Sequence, residues 1–458
     1  MTDVVSIAPP AERPGRAPGP RFRTPFGAVA VMRRDPLNYL LDCWRRYGDL
    51  VEIRFPPWNL FLVVHPDHIR HVLHDNHRNY WKGVVIGKLK RLAGEGLVFS
   101  DGDLWRRQRQ LIQPTFHRER IAAMTDMMVD TTAEALERWA RASSGRAFDL
   151  AAELSKLTLE IVSKALFGTD LADEKDEFAA AVTAALEYAN YITNHFMPPP
   201  LFVPTRANRA GRAAIARIDR IVWKVIEQRR RAGVERHDLL GMLISARDAE
   251  TNTAMDDKQL RDEVVTFLVA GHETTAVALS WACHLLSQNP EIEQRLHEQI
   301  GAGMGRRPPS LADLGAVAYS RMVLEEAMRL FPPVWATIRE ARADDEVGGL
   351  AVPAAATLTV SPWLTHRHPR FWEDPERFDP ERFTPERSAG RPDFAYFPFG
   401  GGPRGCVGRQ FAMIEGQIIL TMIAQRFRLR GTASHAVVPD PILTLRPRNG
   451  LPMLLEPR

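Results

Sequence analysis

The chain has 458 residues, enough for one large domain or two to three ordinary ones, and its 45% apolar and 25% charged composition excludes a disordered tail. Three cysteines, Cys43, Cys283 and Cys406, are too few and too scattered for a disulfide-stapled scaffold or a four-cysteine zinc or iron–sulfur site. A net charge of +4, from 60 basic and 56 acidic side chains, falls well short of a nucleic-acid binder's basic stripe, so no nucleic-acid partner is expected.

Residues 1–35 are rich in Pro and Arg and lack the apolar core of a signal peptide or membrane anchor. The expectation is a poorly ordered leader followed by a single folded domain over 36–458, in the cytoplasm. DPLNYLLDCWRRYG (35–48) has helical spacing, and LVEIRF (50–55) and LFLVVH (60–65) read as two strands around a turn at 56–59. From about 103 to 330 the pattern is overwhelmingly helical, broken at FMPPPLFVPT (196–205), where the prolines forbid helix. Short strand-like runs such as LAVPAAATLTV (350–360) follow Pro332. A Pro-rich loop then carries FWEDPERFDPERF (371–383), a long helix begins after Cys406, and short strands close the chain. The fold class is mainly α with small β-sheets.

The most informative helix spans about Asp256 to Gln288 and would be about 50 Å long at 1.5 Å per residue. Its middle reads Thr266-Phe267-Leu268-Val269-Ala270-Gly271-His272-Glu273-Thr274-Thr275. A helix apolar on most sides is buried, so His, Glu and two Thr at its centre must find partners or line a cavity.

In FPFGGGPRGCVGRQFAMIEGQIILTMIAQRF (397–427), five glycines crowd around Cys406, and a helix follows with Phe411, Ile414, Ile418 and Met422 at 3–4 spacing. Cys406 thus precedes a helix N-terminus, where the dipole and free N–H groups favour a thiolate. A phosphate loop would need Gly-Lys-Ser/Thr after the glycines, and Cys-Val stands there instead. A nucleophilic cysteine would need a general base; none is near in sequence, which leaves a distant one open. A structural cysteine has no use for five glycines, whereas a thiolate ligating a planar cofactor does, because glycine lets the backbone approach a flat group closely.

Phe399-x-x-Gly402-x-Arg404-x-Cys406-x-Gly408 resembles in full the heme-binding signature of the cytochrome P450 family. The resemblance implies that family's fold, a triangular helix-rich prism with a long central helix, and heme b as cofactor. Cys406 would be the thiolate ligand of the heme iron, with Phe399 shielding the sulfur and Arg404 on a heme propionate. Glu326-Ala327-Met328-Arg329 is similar to the family's Glu-x-x-Arg motif and precedes Pro380-Glu381-Arg382-Phe383 in the expected order. It implies a structural Glu326–Arg329–Arg382 network.

Ala270-Gly271-His272-Glu273-Thr274-Thr275 resembles the family's oxygen-activation motif, with Thr274 hydrogen-bonding bound oxygen and Glu273 relaying protons. A His-Glu-x-x-His zinc site fails here because position 276 is Ala276. Trp105-Arg106-Arg107-Gln108-Arg109 resembles the family's Trp-x-x-x-Arg helix, which would aim Trp105 and Arg109 at a heme edge, and Arg339 occupies the place of another propionate-binding arginine.

By the same resemblance, Phe267, Ala270, Ala336, Thr337 and Leu443 line the substrate site, with loops near 83–98 and 187–204 as the lid. The implied activity is a soluble bacterial-type monooxygenase that inserts one atom of O2 into a lipophilic small molecule such as a terpenoid, fatty acid or steroid. No electron-donating domain accompanies the motifs, so electrons would come from a separate ferredoxin or flavodoxin with its reductase, docking near Arg106, Arg107 and Arg409 on a monomer without a membrane anchor. The rival readings are a heme-thiolate peroxygenase or isomerase, against which the Glu273–Thr274 pair counts, and a non-enzymatic heme-binding protein.

Overall fold

A computed structural model describes residues 15–20, 22, 27–55, 58–143, 145–168, 175–194, 198–232, 238–248, 252–432 and 436–458. Most of the leader and parts of the 56–59 turn and the 196–205 break lie outside these residues. The chain is mostly helical with small sheets and divides into two compact units. One is drawn from the chain up to Gly87 with Arg329–Phe378 and Thr384–Cys406; the other comprises Lys88–Met328, Asp379–Phe383 and Val407–Arg458.

The first unit is built on a five-stranded sheet in the order Leu50–Phe55, Trp58–Val63, Thr357–Val360, Thr337–Ala341, Tyr80–Trp81. Leu50 pairs antiparallel with Val63, Leu60 runs parallel to Thr357, and Thr337 pairs antiparallel with Val360. Both faces are covered, which explains why LFLVVH reads as an unbroken apolar run: Phe61 and Val63 enter one core with Leu358 and Val360. Leu60, Leu62 and Val64 point the other way, onto Leu40 and Cys43 of the Pro36–Tyr47 helix. That helix is started by Asp35, whose carboxylate accepts from the Asn38 N–H at 3.2 Å, and stopped by Gly48 at a φ of 92°.

The second unit is organised around the central helix Asp257–Gln288, capped by the Asp256 carboxylate, which accepts from the Gln259 N–H at 2.7 Å. It packs on the helices Leu150–Phe167, Arg206–Ala232 and Arg409–Arg426. By length and apolarity alone it would cross a membrane, but 72% of its most apolar window is buried inside the protein, the mark of a core helix. A three-stranded sheet of Phe148–Asp149, Pro452–Pro457 and Phe427–Gly431 includes one strand expected at the C-terminus, Pro452–Pro457.

Candidate functional site

In the first unit the cysteine loop is shaped by its own backbone. The Cys406 N–H donates to the Phe399 carbonyl at 2.9 Å, Gly405 N–H to Gly402 at 3.0 Å, and Gly400 N–H to Phe397 at 2.9 Å. Gly402 has a φ of 63°, and a Cβ there would lie 2.0 Å from the Leu73 carbonyl oxygen, so only glycine permits this turn. Cys406 is exposed, in contrast to Cys43 and Cys283, which are buried. Burial pushes the Cys43 thiol up to about 11 and the Cys283 thiol up to about 12, leaving both as inert packing residues.

Arg404 is half-buried just ahead of Cys406. In the same unit Arg339 is nearly buried on the Thr337–Ala341 strand, where its guanidinium donates to Thr337 Oγ1 at 3.0 Å and the Ile338 carbonyl at 2.9 Å. Ala336 and Thr337 are half-buried at the start of that strand. Arg329 is fully buried, donates to the carbonyls of His366 (2.9 Å), Pro375 (2.7 Å) and Arg377 (3.1 Å), and lies over the Trp372 ring.

In the second unit Glu326 is fully buried and accepts from the Asp379 N–H at 2.9 Å, with Arg382 Nε at 3.4 Å. Trp105 and Arg109 lie half-buried one turn apart on the Gly102–Ile112 helix, and Arg109 Nε donates to Gln113 at 3.2 Å. Arg107 donates to Thr253 Oγ1 at 2.9 Å and the Ala254 carbonyl at 3.2 Å, while Arg106 and Arg409 are exposed.

The central helix is buried on both sides of its middle, yet Val269, Ala270, Gly271, Glu273 and Thr274 are at least partly uncovered. His272 is the buried exception: its Nδ1 lies 2.7 Å from the Leu268 carbonyl, and desolvation lowers its pKa, favouring the neutral ring. Thr274 Oγ1 donates to the Ala270 carbonyl at 2.8 Å, and Glu273 accepts from Thr444 Oγ1 at 2.9 Å. Gly408 caps the following helix, Arg409–Arg426, and accepts from the Ala412 N–H at 2.9 Å.

An apolar cavity in this unit is lined by Leu443, Val265, Val269, Phe99, Ile215 and Ile218, among others, with Arg261 at its edge. Phe267, one of the expected lining residues, packs edge-on against Phe116 at 5.4 Å. On the same helix Val265 and Val269 present the cavity face.

Two groups escaped the sequence reading. Glu415 is buried on the Arg409–Arg426 helix beside Thr275, and desolvation pushes its carboxyl up to about 8 against a downward pull from the Thr275 hydroxyl. A lone charge in FAMIEGQIIL was its signal. Arg261, Asp262 and Glu263 are buried at the start of the central helix, a charge triplet ahead of an apolar run.

Each unit taken by itself carries groups that suit a large, flat molecule bearing acidic substituents. The first sets an exposed thiol in a glycine loop and holds the guanidinium groups of Arg339 and Arg404. The second holds Trp105 and Arg109 on one helix and an uncovered stretch of small residues on its core helix. Among the described residues no cluster of three or more His, Cys, Asp or Glu is placed to hold a metal ion.

A family model described as Cytochrome P450 matches residues 17–451. The chain is 38% identical, over 100% of its length and 99% of the relative's, to a cyclooctat-9-en-7-ol 5-monooxygenase of Streptomyces melanosporofaciens. It is 36% identical to a cyclooctatin synthase of the same organism, with 94% of each chain covered. It is 32% identical to a pentalenene oxygenase of Streptomyces avermitilis, over 92% of this chain and 94% of that one.

Proposed function

The chain belongs to the cytochrome P450 family, a monooxygenase with a heme cofactor, and on that premise we propose that Cys406 holds the heme iron and that the enzyme oxidises a cyclic terpenoid. The carrying observation is the exposed Cys406 thiol, set in a loop whose Gly402 turn admits no side chain. When bound, heme supplies the activation of O2 by which one oxygen atom enters a C–H or C=C bond while two electrons and two protons carry the other away as water.

The chain's own residues do the rest. Arg109, Arg339 and Arg404, with the Trp105 indole N–H, hold the two carboxylates of the group, as guanidinium forks do. The small, exposed Ala270 leaves room for a flat group beside the central helix, and Phe399 screens the sulfur. Gly271, whose Cβ would lie 3.1 Å from Val162 Cγ2, loosens the helical ladder together with the Thr274 hydroxyl. Glu273 carries protons inward from its half-buried position beside Thr444, and Thr274 presents its hydroxyl by turning from the Ala270 carbonyl. His272 stays neutral and packs the helix against Thr158, whose hydroxyl donates to the His272 carbonyl at 3.0 Å.

The apolar cavity beside Leu443 suits a lipophilic substrate, and the three named relatives act on or make cyclic compounds of that character. Ala336, Thr337, Phe267 and Ala270 belong to the same proposal. So do a separate ferredoxin or flavodoxin docking at the exposed Arg106 and Arg409, a monomeric heme domain over 36–458, and a cytoplasmic location.

The test is turnover of a panel of cyclic terpenoid alkenes and alcohols under isotopically heavy O2, with a surrogate ferredoxin and reductase. One heavy oxygen atom per product molecule is expected. Oxygen drawn from water, or turnover only of fatty acids or steroids, contradicts the assignment.

A further inference from the structure

The apolar cavity has one charged corner. Arg261, Asp262 and Glu263 are 7%, 3% and 0% exposed, an unusual run of buried charge. Arg261 borders the cavity and donates from Nε to Asp219 at 2.7 Å and from Nη1 to Asp262 at 2.9 Å. Asp219 belongs to the Arg206–Ala232 helix, whose Ile215 and Ile218 line the same cavity.

Asp262 reaches in the other direction. Its second oxygen accepts from the Glu95 backbone N–H at 2.9 Å and from Lys258 Nζ at 3.1 Å. One residue on, Glu263 accepts from the Leu97 N–H at 2.9 Å. The 94–97 segment is moulded to this contact: a Cβ on Gly94, at a φ of 71°, would lie 2.1 Å from the Asp262 carboxylate, and one on Gly96 would lie 2.1 Å from Thr266 Oγ1. Arg261 therefore ties together the central helix, the Arg206–Ala232 helix through Asp219 and, through Asp262, the 94–97 segment, which connects the lining residues Ala93 and Phe99 along the chain.

Arg261, Val265 and Val269 recur every four residues and so form one ridge of the central helix, about 12 Å long at 1.5 Å per residue. We propose that Arg261 is a positioning residue for substrate: by clamping Asp219 and Asp262 it fixes the far end of the cavity and so sets how long a lipophilic molecule is held and how fast it leaves. A ligand confined beside Ala270, one residue past the last lining residue Val269, does not feel the clamp; one that runs along the ridge does. This inference rests on the reading that Ala270 and Thr274 face the heme.

Two azoles separate the two ends of the cavity. In the ferric holoenzyme, imidazole reports ligation alone, whereas 1-dodecylimidazole adds a chain long enough to follow the ridge; both are read from the shift of the Soret band. Arg261→Gln and Asp219→Asn should each weaken 1-dodecylimidazole about tenfold and leave imidazole within about twofold. The double variant should be no weaker than Arg261→Gln alone, because both substitutions open the same clamp. Arg261→Lys should keep part of the affinity.

Backbone amide exchange in the 94–97 segment should quicken in Arg261→Gln. Asp219 is one-third exposed, so its variant keeps the test open if Arg261→Gln does not fold. Equal weakening of both azoles, additive losses in the double variant, or unchanged binding of 1-dodecylimidazole would overturn the proposal. Failure of imidazole to shift the wild-type spectrum strikes instead at the heme reading beneath it.

Discussion

Thr274 and Glu273 sit side by side on the central helix and are held differently: one donates to its own helix at Ala270, the other accepts from Thr444 on a neighbouring segment. Removing the hydroxyl should therefore leave the fold and heme binding intact. Thr274→Ala is expected to keep the thiolate spectrum while the product formed per electron pair falls by roughly tenfold or more, measured as product against reductant consumed. Fully coupled turnover would remove Thr274 from proton delivery.

Glu415 makes a stability prediction. Its carboxyl is raised by burial from the ordinary carboxylate value to about 8, and one of its oxygens has no hydrogen-bond partner among the described residues. Between about pH 4.5 and 8 the folded chain thus binds a proton that the unfolded chain has lost, so this residue lowers stability as pH rises through that window. Glu415→Gln, neutral at every pH, should match wild type near pH 4.5 and gain on it until about pH 8, by several degrees in Tm. A difference that does not change with pH would show that the carboxyl ionises freely in the fold. Its residue type was plain in the sequence; its burial, which only the packed helices around it create, was not.

At the scale of elements, the cysteine loop and the Glu326 helix explain what was legible. Glycine clustering is a backbone signal and survives in one dimension, so a tight turn around Gly402 is legible in the order of residues alone. Gly400 and Gly402 both have positive φ, but only Gly402 faces an obstacle. Gly400→Ala is expected to cost about 1–2 kcal/mol in strain and still bind heme. Gly402→Ala should abolish incorporation, judged by heme content after purification. Equal heme content in the two variants would contradict the close approach to Leu73.

Glu326 and Arg329 were recognisable as a charged pair by motif, with Arg382 joined to them by resemblance, but a surface bridge worth little looks the same in sequence. Full burial of Glu326, with the Asp379 N–H on its carboxylate, makes the difference. Glu326→Ala removes the buried carboxylate beside the 5%-exposed Arg382 side chain and should destabilise the holoprotein by about 3–5 kcal/mol in urea denaturation. A loss below about 1 kcal/mol would indicate that the pair behaves as a solvated bridge.

For the whole molecule, the ordered motifs from Trp105 to Gly408 carried the family, the fold class and the cofactor. The central helix followed from its apolar run and its Asp256 cap. Of the cavity only Leu443 had been named, by resemblance; Val265, Val269, Ile215 and Phe99 are ordinary apolar residues until distant segments bring them together. Phe267, equally apolar and on the same helix, packs edge-on against Phe116. The clamp was hidden for a related reason: a charge triplet at a helix start reads as a solvated first turn, and only packing reveals Arg261 between two carboxylates.

The central claim is that the exposed Cys406, alone among the three cysteines, supplies the ligand through which this chain does its chemistry. It is tested most directly by the spectrum of the reduced, CO-bound protein, compared with Cys406→Ala, Cys43→Ala and Cys283→Ala. The wild type and the last two should show the strongly red-shifted Soret band of thiolate ligation, and Cys406→Ala should lose it. A band retained in Cys406→Ala, or absent from the heme-loaded wild type, would contradict the account.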